Sequence, residues 1–522
     1  MKPTYGVLLL VFLLWSAFVS AQKENNSVLD QKITLNIQNQ SITSILDSVS
    51  SQAKVFFSYD AILIEADKQS NLSVSEKSLR ETLDTLFRSK FEYQVIGDQI
   101  IIANHSKTIA IAEPGELKSK IITFRGQVID RDRKEILPYT GISILRSHIG
   151  TISNIDGDFE LKIPASMVLD TLVFSHLGYR PFRQPISEIT DKSCIISLQP
   201  ATIQLKEIQI TVIDAQAIVN KIIEKISINY PHEPEIMTAF YREVLKQDDK
   251  YIDVAEAVME IRKAPYESDA IQDQLKVVKG RKSHNVEAFQ FVDFKMQGGP
   301  YYITQLDVVN TLETFLNPEL RDLHKYWLDG IAELDDRKTY VIQFKPKEKV
   351  SFLAYHGKLF VDMSSLALVR AEFSLTRSGL KVANQSLIKK KPKDLYVRPL
   401  HAHYLVSYRR ANNKWHLSSA QAAINFKVKS KTDRVNSIFS SVSDLLITDF
   451  KPGEGTHFKR DEVFSSRDIF TETINSYDEG FWDDYNIITP SEELREALQE
   501  YYLKNDSLFK SSEKQKQIIF TN

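Results

Sequence analysis

The chain has 522 residues, 43% hydrophobic and 26% charged, with 66 Lys and Arg against 68 Asp and Glu and a formal net charge of −2. That balance is ordinary for folded globular protein and carries no electrostatic footprint for a nucleic-acid partner. Cys194 is the single cysteine, which excludes an internal disulfide and a zinc site built on several thiolates, so the domains must hold together by core burial.

A chain of this length predicts roughly three or four domains. Residues 1–21 read as a secretory signal peptide: Lys2, an apolar run over 7–19, then Val19-Ser20-Ala21 as a cleavage site before Gln22. The run is shorter than the roughly 20 residues of a spanning helix. No cysteine follows the cut to carry a lipid anchor, and no later segment is apolar enough to span a bilayer. The expected location is the periplasm or the outer membrane's periphery, with no transmembrane helix after signal removal.

Residues 32–104 read as a small α+β domain. Ile33, Leu35 and Ile37 alternate as a half-buried strand. Ile42, Ile45, Leu46 and Val49 then share one helix face, with Ser41 as its cap. Residues 55–59 and 72–74 are β-prone, and Ser78-Leu79-Arg80-Glu81 forms a capping box before a second helix with Leu79, Leu83, Leu86 and Phe87 on its buried stripe. Residues 93–96 and 99–102 make a hairpin around Gly97-Asp98. This order, with Ile42-Thr43-Ser44-Ile45-Leu46 and Leu79-Arg80-Glu81-Thr82-Leu83, resembles the STN domain, the short N-terminal module of secretins and TonB-dependent receptors. The resemblance covers the module end to end and implies a periplasmic docking unit for a partner protein. The plain alternative is a generic α+β spacer.

Residues 105–121, with Pro114-Gly115, read as a linker. Residues 122–200 hold short strands punctuated by turns, the pattern of an all-β sandwich. Asp156-Gly157-Asp158-Phe159 and His176-Leu177-Gly178-Tyr179 resemble the carboxypeptidase regulatory-like domain of Bacteroidetes envelope proteins, a Greek-key β-sandwich without peptidase activity. In many relatives this module precedes a TonB-dependent receptor plug and barrel; here no plug is evident after residue 212. Asn154, Asp156, Asp158 and Glu160 alternate in the manner of a calcium loop, but Phe159 and Ala165 stand where an EF-hand needs Gly and Glu. A hairpin turn at Asp156-Gly157 accounts for the same residues, with Phe159 and Leu161 inward and Asp158 and Glu160 facing water.

Residues 214–450 read as a β-rich α+β domain of unknown function with a curved antiparallel sheet, and 451–522 as a C-terminal segment with a terminal helix. A helix over 214–228 ends at Tyr230-Pro231, strands follow, and a helical interlude is expected over 303–327. Thr489-Pro490-Ser491-Glu492 reads as a capping box with Pro490 opening the last helix. Asn229-Tyr230-Pro231, Phe240-Tyr241-Arg242-Glu243 and the stretch 481–488 resemble an uncharacterised domain that often follows the regulatory-like module. Residues 355–362 running into 366–369 resemble the strand-turn-strand of LolA, a periplasmic lipoprotein carrier; that likeness covers about 25 residues and implies an apolar cavity on a curved sheet.

No His-Glu-x-x-His, Gly-x-Ser-x-Gly or phosphate loop is present. Cys194 is expected as a buried structural thiol. His401 and His403 share a strand face but have no third ligand nearby in sequence. Lys389-Lys390-Lys391-Pro392-Lys393 could touch anionic headgroups or glycans, or be a solvated loop, and Lys279-Gly280-Arg281-Lys282 is an unspecific charge run. Phe481 and Trp482 are a sugar-stacking platform or, more simply, anchors for a terminal segment. These residues predict no catalytic residue, metal or cofactor, and no enzyme. The expected role is docking of envelope protein partners through the N-terminal modules; the alternative is a carrier or binder of lipid or lipidated protein in the β-rich domain.

Overall fold

A computed structural model describes residues 28–59, 64, 68–88, 90–96, 99–104, 121–145, 147–189, 193–201, 214–267, 272–284, 295–296, 299–348, 353–384, 387–390, 393–430, 435–453, 457–468, 470–476, 482 and 485–500. The signal-peptide reading of 1–21, most of the linker, the Gly97-Asp98 turn and Phe481 lie outside the described residues. The chain divides into two compact units, one of residues 1–118 with Val168–Asp170, the other of the remaining residues. No helix among the described residues is long and apolar enough to cross a membrane.

The first unit has the expected element order. Strand β1 (Lys32–Ser41) pairs antiparallel with β3 (Gln69–Ser78), and β2 (Phe56–Tyr59), β5 (Gln99–Asn104) and β4 (Phe91–Ile96) form a second sheet in that spatial order, β2 and β5 running parallel. Helix α1 (Ile42–Ala53) is capped by the Ser41 hydroxyl, which accepts from Ser44 N. The Ser78–Glu81 capping box is present in both directions on α2 (Leu79–Phe87), which removes two orphan donors at the helix start. Ile45, Leu46, Val49, Leu79, Leu83 and Phe87 join one buried cluster.

In the second unit, strands β6 (Ile121–Asp130), β7 (Gly141–Ile144), β8 (Gly150–Ile152), β9 (Asp158–Pro164), β10 (Thr171–Ser175), β11 (Phe182–Pro185) and β12 (Ser193–Leu198) make two sheets, β11-β10-β7-β8 and β12-β6-β9. β12 and β6 are parallel. Phe159 and Leu161 point inward, Phe159 edge-on to Phe174 at 5.4 Å. Gly157 has φ +77°, and a Cβ there would stand 2.7 Å from Val128 O, so only glycine fits this turn. Asp158 and Glu160 are half-buried rather than water-facing, because Glu160 takes Arg125 at 2.6 Å and Lys162 at 3.5 Å.

The remaining strands are β13 (Glu235–Gln247), β14 (Lys250–Lys263), β15 (Gln274–His284), β16 (Lys295–Met296), β17 (His324–Leu334), β18 (Arg337–Pro346), β19 (Tyr355–Asp362), β20 (Leu368–Leu375), β21 (Ile388–Lys390), β22 (Leu395–Ala411), β23 (Lys414–Ser430), β24 (Asn436–Pro452) and β25 (Asn475–Ser476). Ten of them form one antiparallel sheet, β17-β18-β19-β20-β22-β23-β24-β13-β14-β15, with β25 added parallel to β15. Strands β15, β17 and β24 were not evident in the sequence, and the helical interlude expected up to 327 stops at Leu323, since 324–334 pair along β18. Helices α3 (Ala215–Glu224), α4 (Ile226–Asn229), α5 (Pro300–Thr304), α6 (Val308–Thr311), α7 (Arg377–Ala383) and α8 (Phe470–Thr473) accompany these strands, and a further helix begins at Glu492.

Side chains alternate across this sheet. Met237, Ala239 and Tyr241 mark its inner face, where α3 to α6 supply Val219, Ile222, Ile226, Ile303 and Val309 to a single core. Phe240, Arg242 and Val244 mark the outer face. Tyr230, at the end of α4, lies 5.0 Å from Tyr266 beyond β14 and 5.6 Å from Tyr408 on β22. Those strands are four places apart, roughly 19 Å along a flat sheet, so the sheet curves around the inner core.

Candidate functional site

Two sites converge residues from distant parts of the second unit. On the outer face, Glu256 of β14 accepts from Arg242 Nε of β13 and Arg281 Nε of β15, each at 2.7 Å, with all three side chains buried. Burial pushes the Glu256 carboxyl up, but the two guanidiniums outweigh it and hold it below its ordinary value. Arg281 lies over the Trp482 ring at 4.8 Å, and Phe240 meets the same ring edge-on at 5.7 Å. Arg242 also donates to Ile488 O at 2.6 Å. Trp482 is therefore an anchor with 5% exposure, not a sugar platform, and Arg281 is a core ion-pair residue rather than part of a solvated run.

The segment 482–492 also clasps the sandwich. The Asn486 carboxamide accepts from Lys162 N through Oδ1 at 2.7 Å and donates to Lys162 O through Nδ2 at 2.9 Å, so one side chain satisfies both backbone groups of Lys162. Thr151 donates to Ile487 O, Asn154 to Pro490 O, Lys162 Nζ to Trp482 O, and Glu492 N to Asp156. The Asn154 carboxamide oxygen accepts from Asp156 N and Asp158 N at 2.9 and 2.8 Å, so the residues spaced like a calcium loop build the turn and hold the clasp. Pro490 lies before the last helix among the described residues, which begins at Glu492 and is capped by the Ser491 hydroxyl accepting from Leu494 N. The Thr489 cap expected from sequence is displaced because Glu492 N is already held by Asp156.

On the inner face, a roof over 299–323 crosses an aromatic wall. Phe315 is fully buried, 4.5 Å from Phe344, 5.1 Å from Phe373 and 6.1 Å from Tyr355, with Tyr404 stacked on Phe373 at 5.2 Å. The roof packs into the inner core through Ile303, Val308, Val309, Phe315 and Leu316, and polar contacts add to that packing. Asp307, the cap of α6, lies 2.9 Å from Lys263 Nζ and accepts from Tyr408 OH at 2.7 Å; Tyr326 OH donates to Phe315 O at 2.6 Å. Asp273 is the second carboxylate on Lys263, at 2.8 Å. Burial pulls the Lys263 ammonium down, and the two carboxylates more than offset it, so its pKa is raised. Glu313 in the roof is pushed up by burial.

His401 and His403 do share the outer face, ring centroids 6.3 Å apart. The register adds a third imidazole that the sequence hid: His356 pairs with Ser374, and Ser374 pairs with His403, whose Nδ1 lies 3.0 Å from the serine hydroxyl. Burial pushes both His356 and His403 down. Among the described residues, no three His, Cys, Asp or Glu side chains are grouped to hold a metal ion. Cys194 is half-buried, not enclosed as expected, with Sγ 3.7 Å from Arg125 O, because β12 is an edge strand. Of the lysine run, Ile388–Lys390 forms β21 against β16 instead of a loop, and 391–392 lie outside the described residues. A small void of about 20 Å³ lies between Tyr139 and Ile152 of the sandwich and Arg370, Ser407, Gln421 and Asp444 of the sheet, the size of one water.

Three solved structures are similar to parts of the chain. A candidate outer membrane lipoprotein-sorting protein domain from Vibrio parahaemolyticus is 10% identical, covering 47% of this chain and 95% of that one at a TM-score of 0.24. A DUF1329 family protein from Desulfovibrio piger is 10% identical, with 47% and 98% covered and a TM-score of 0.22. A LolA superfamily protein from Nitrosomonas europaea is 13% identical, with 48% and 98% covered and a TM-score of 0.18. Scores this low say nothing about ligand or role. Residues 124–210 match the family model of the CarboxypepD_reg-like domain, and the sandwich of β6 to β12 is that domain.

Proposed function

We propose that this is a non-catalytic envelope protein of the periplasmic side whose β-rich domain binds an apolar chain, a lipid or the acyl part of a lipidated protein. The observation that carries the reading is the aromatic wall of Phe344, Tyr355, Phe373 and Tyr404 closed by Phe315 from a roof outside the sheet. The roof is held by the packing of Ile303, Val308, Val309, Phe315 and Leu316 and by hydrogen bonds, and by no strand pairing, so lifting it would leave the ladder of the sheet intact. Withdrawing Phe315 would bare apolar area that an acyl chain covers at about 0.8 kcal/mol per buried CH₂. A non-catalytic role is supported by four carboxylates that are committed to cations: Glu256 to two arginines, Asp273 and Asp307 to Lys263, Asp362 to Arg337. Lipid extraction from protein purified out of its native envelope, read by mass spectrometry, tests this. A stoichiometric acyl lipid supports the reading; protein that carries none and takes up none when mixed with lipid refutes it.

Docking of a second envelope protein is favoured by one further observation. The first unit has its own closed core, the arrangement an STN-like docking module needs. No TonB-dependent receptor plug or barrel is part of the proposal, since among the described residues every strand after residue 234 except β16 and β21 is engaged in one sheet with its own core.

A further inference from the structure

The sequence leading into β22 and out of β23 is strongly basic. Residues 387–400 and 427–438 carry nine Lys and Arg against two Asp, in a chain whose net charge is −2. The register brings Arg398 of β22 and Lys427 and Lys429 of β23 together on the outer face, beside Ile438 of β24. Tyr396 pairs with Lys429, Arg398 with Lys427, and Lys427 in turn with Ile438. Tyr396, Arg398, Lys429 and Ile438 are exposed and Lys427 is half-buried, its Nζ donating to Asn436 O at 3.1 Å, while the alternate residues Leu395, Val397, Phe426, Val428 and Phe439 fill a core on the other side. Tyr396 is 58% exposed, Ile438 42% and Leu400 37%, so apolar groups are interleaved with the cations.

Of the three cations, Lys427 is partly offset by a neighbouring acid. Asp394 accepts from Ser430, and Asp248 accepts from Ile438 N at 2.8 Å while facing Lys427. Among the described residues no ion pair holds Arg398 or Lys429. The cations are spread over two neighbouring strands and do not converge on a pocket, which suits a dispersed negative surface and not one carboxylate or phosphate. A tyrosine and two aliphatic side chains at the same level fit the headgroup boundary, where amphipathic rings concentrate.

We propose that this face docks on an anionic phospholipid bilayer. The proposal is independent of apolar-chain binding on the inner face, which is measured without vesicles. The test is flotation of the full chain with vesicles of phosphatidylglycerol and phosphatidylethanolamine, against vesicles of phosphatidylcholine. The protein should float with the anionic vesicles, not with phosphatidylcholine, and should be released at about 1 M salt, where the screening length is about 3 Å. Combining Arg398→Glu, Lys427→Glu and Lys429→Glu should weaken binding about 100-fold, from roughly fivefold per removed cation. The salt series on the wild-type chain decides the matter without any substitution should the triple variant fail to fold. Absence of flotation, binding insensitive to salt, or a folded variant that binds like wild type overturns the proposal. Retention on dextran sulfate without flotation also overturns it, assigning the face to an anionic polymer.

Discussion

Asp307 in the roof and Lys263 at the end of β14 face each other at 2.9 Å, both side chains excluded from solvent. The pair joins a segment outside the sheet to the strand beneath it. Asp307→Ala leaves the ammonium with Asp273 alone and also strips Tyr408 OH of its acceptor. Breaking a buried pair costs about 3–5 kcal/mol, and the surviving carboxylate places this one near the lower end. Urea unfolding of the full chain measures it. Lys358→Ala, which removes an exposed pair with Asp329, should change stability by less than about 1 kcal/mol.

Glu256→Gln should be among the most damaging single changes in the second unit. It leaves Arg242 and Arg281 buried side by side beneath Trp482 without a counter-charge. The expected loss is about 3–5 kcal/mol in denaturant unfolding. Lys246→Ala, which breaks a partly exposed pair with Glu493, should cost less than about 1 kcal/mol.

The clasp makes a separate prediction. Asn486→Ala leaves Lys162 N and O without their partner, at about 1–3 kcal/mol for a buried group left unmatched. Limited proteolysis should then cut between the clasp and the sheet earlier than in the wild-type chain, while Asp158→Ala, which removes a half-buried carboxylate outside the clasp bonds, should leave the cleavage pattern unchanged.

His176 sets a pH dependence. Burial, with Arg370 nearby, lowers its imidazole from the ordinary 6.5 to about 4, while Thr140 Oγ1 lies 3.0 Å from Nδ1. The folded state therefore resists the proton that the unfolded state accepts. The stabilisation is complete above pH 6.5, is lost as pH falls towards 4, and amounts to about 3 kcal/mol. Other histidines with lowered values add to the slope, so the informative quantity is the difference between wild type and His176→Gln. That difference should fall as pH drops from 6.5 to 4; a constant difference contradicts the assignment.

Much of the first unit was legible because its helices carry their apolar residues at three- and four-residue spacing and their caps in sequence. The sandwich was legible from its turn glycines: Gly157 and Gly178 both have positive φ. β24 was hidden by its serines. Ser437, Ser440, Ser441 and Ser443 obscure the alternation of a central strand whose inner Phe439, Leu445 and Ile447 are buried. The Arg242–Glu256–Arg281 cluster and the His356–Ser374–His403 row depend on register between strands far apart in sequence, and no local pattern encodes register. The clasp was visible as an aromatic and acidic stretch, but its role rests on bonds to residues more than 300 positions earlier.

The central claim is that the roof opens to an apolar chain, and a tryptophan at its plug reports this most directly. Phe315→Trp places the indole against Phe344 and Phe373. Titration with a fatty acid bearing a quencher near the end of its chain should saturate at one per protein and quench the tryptophan, with Asp307→Asn in the same background binding more tightly because the latch to Lys263 is weakened. A tryptophan emission unchanged by the fatty acid in both proteins, with the fold intact, would contradict the account.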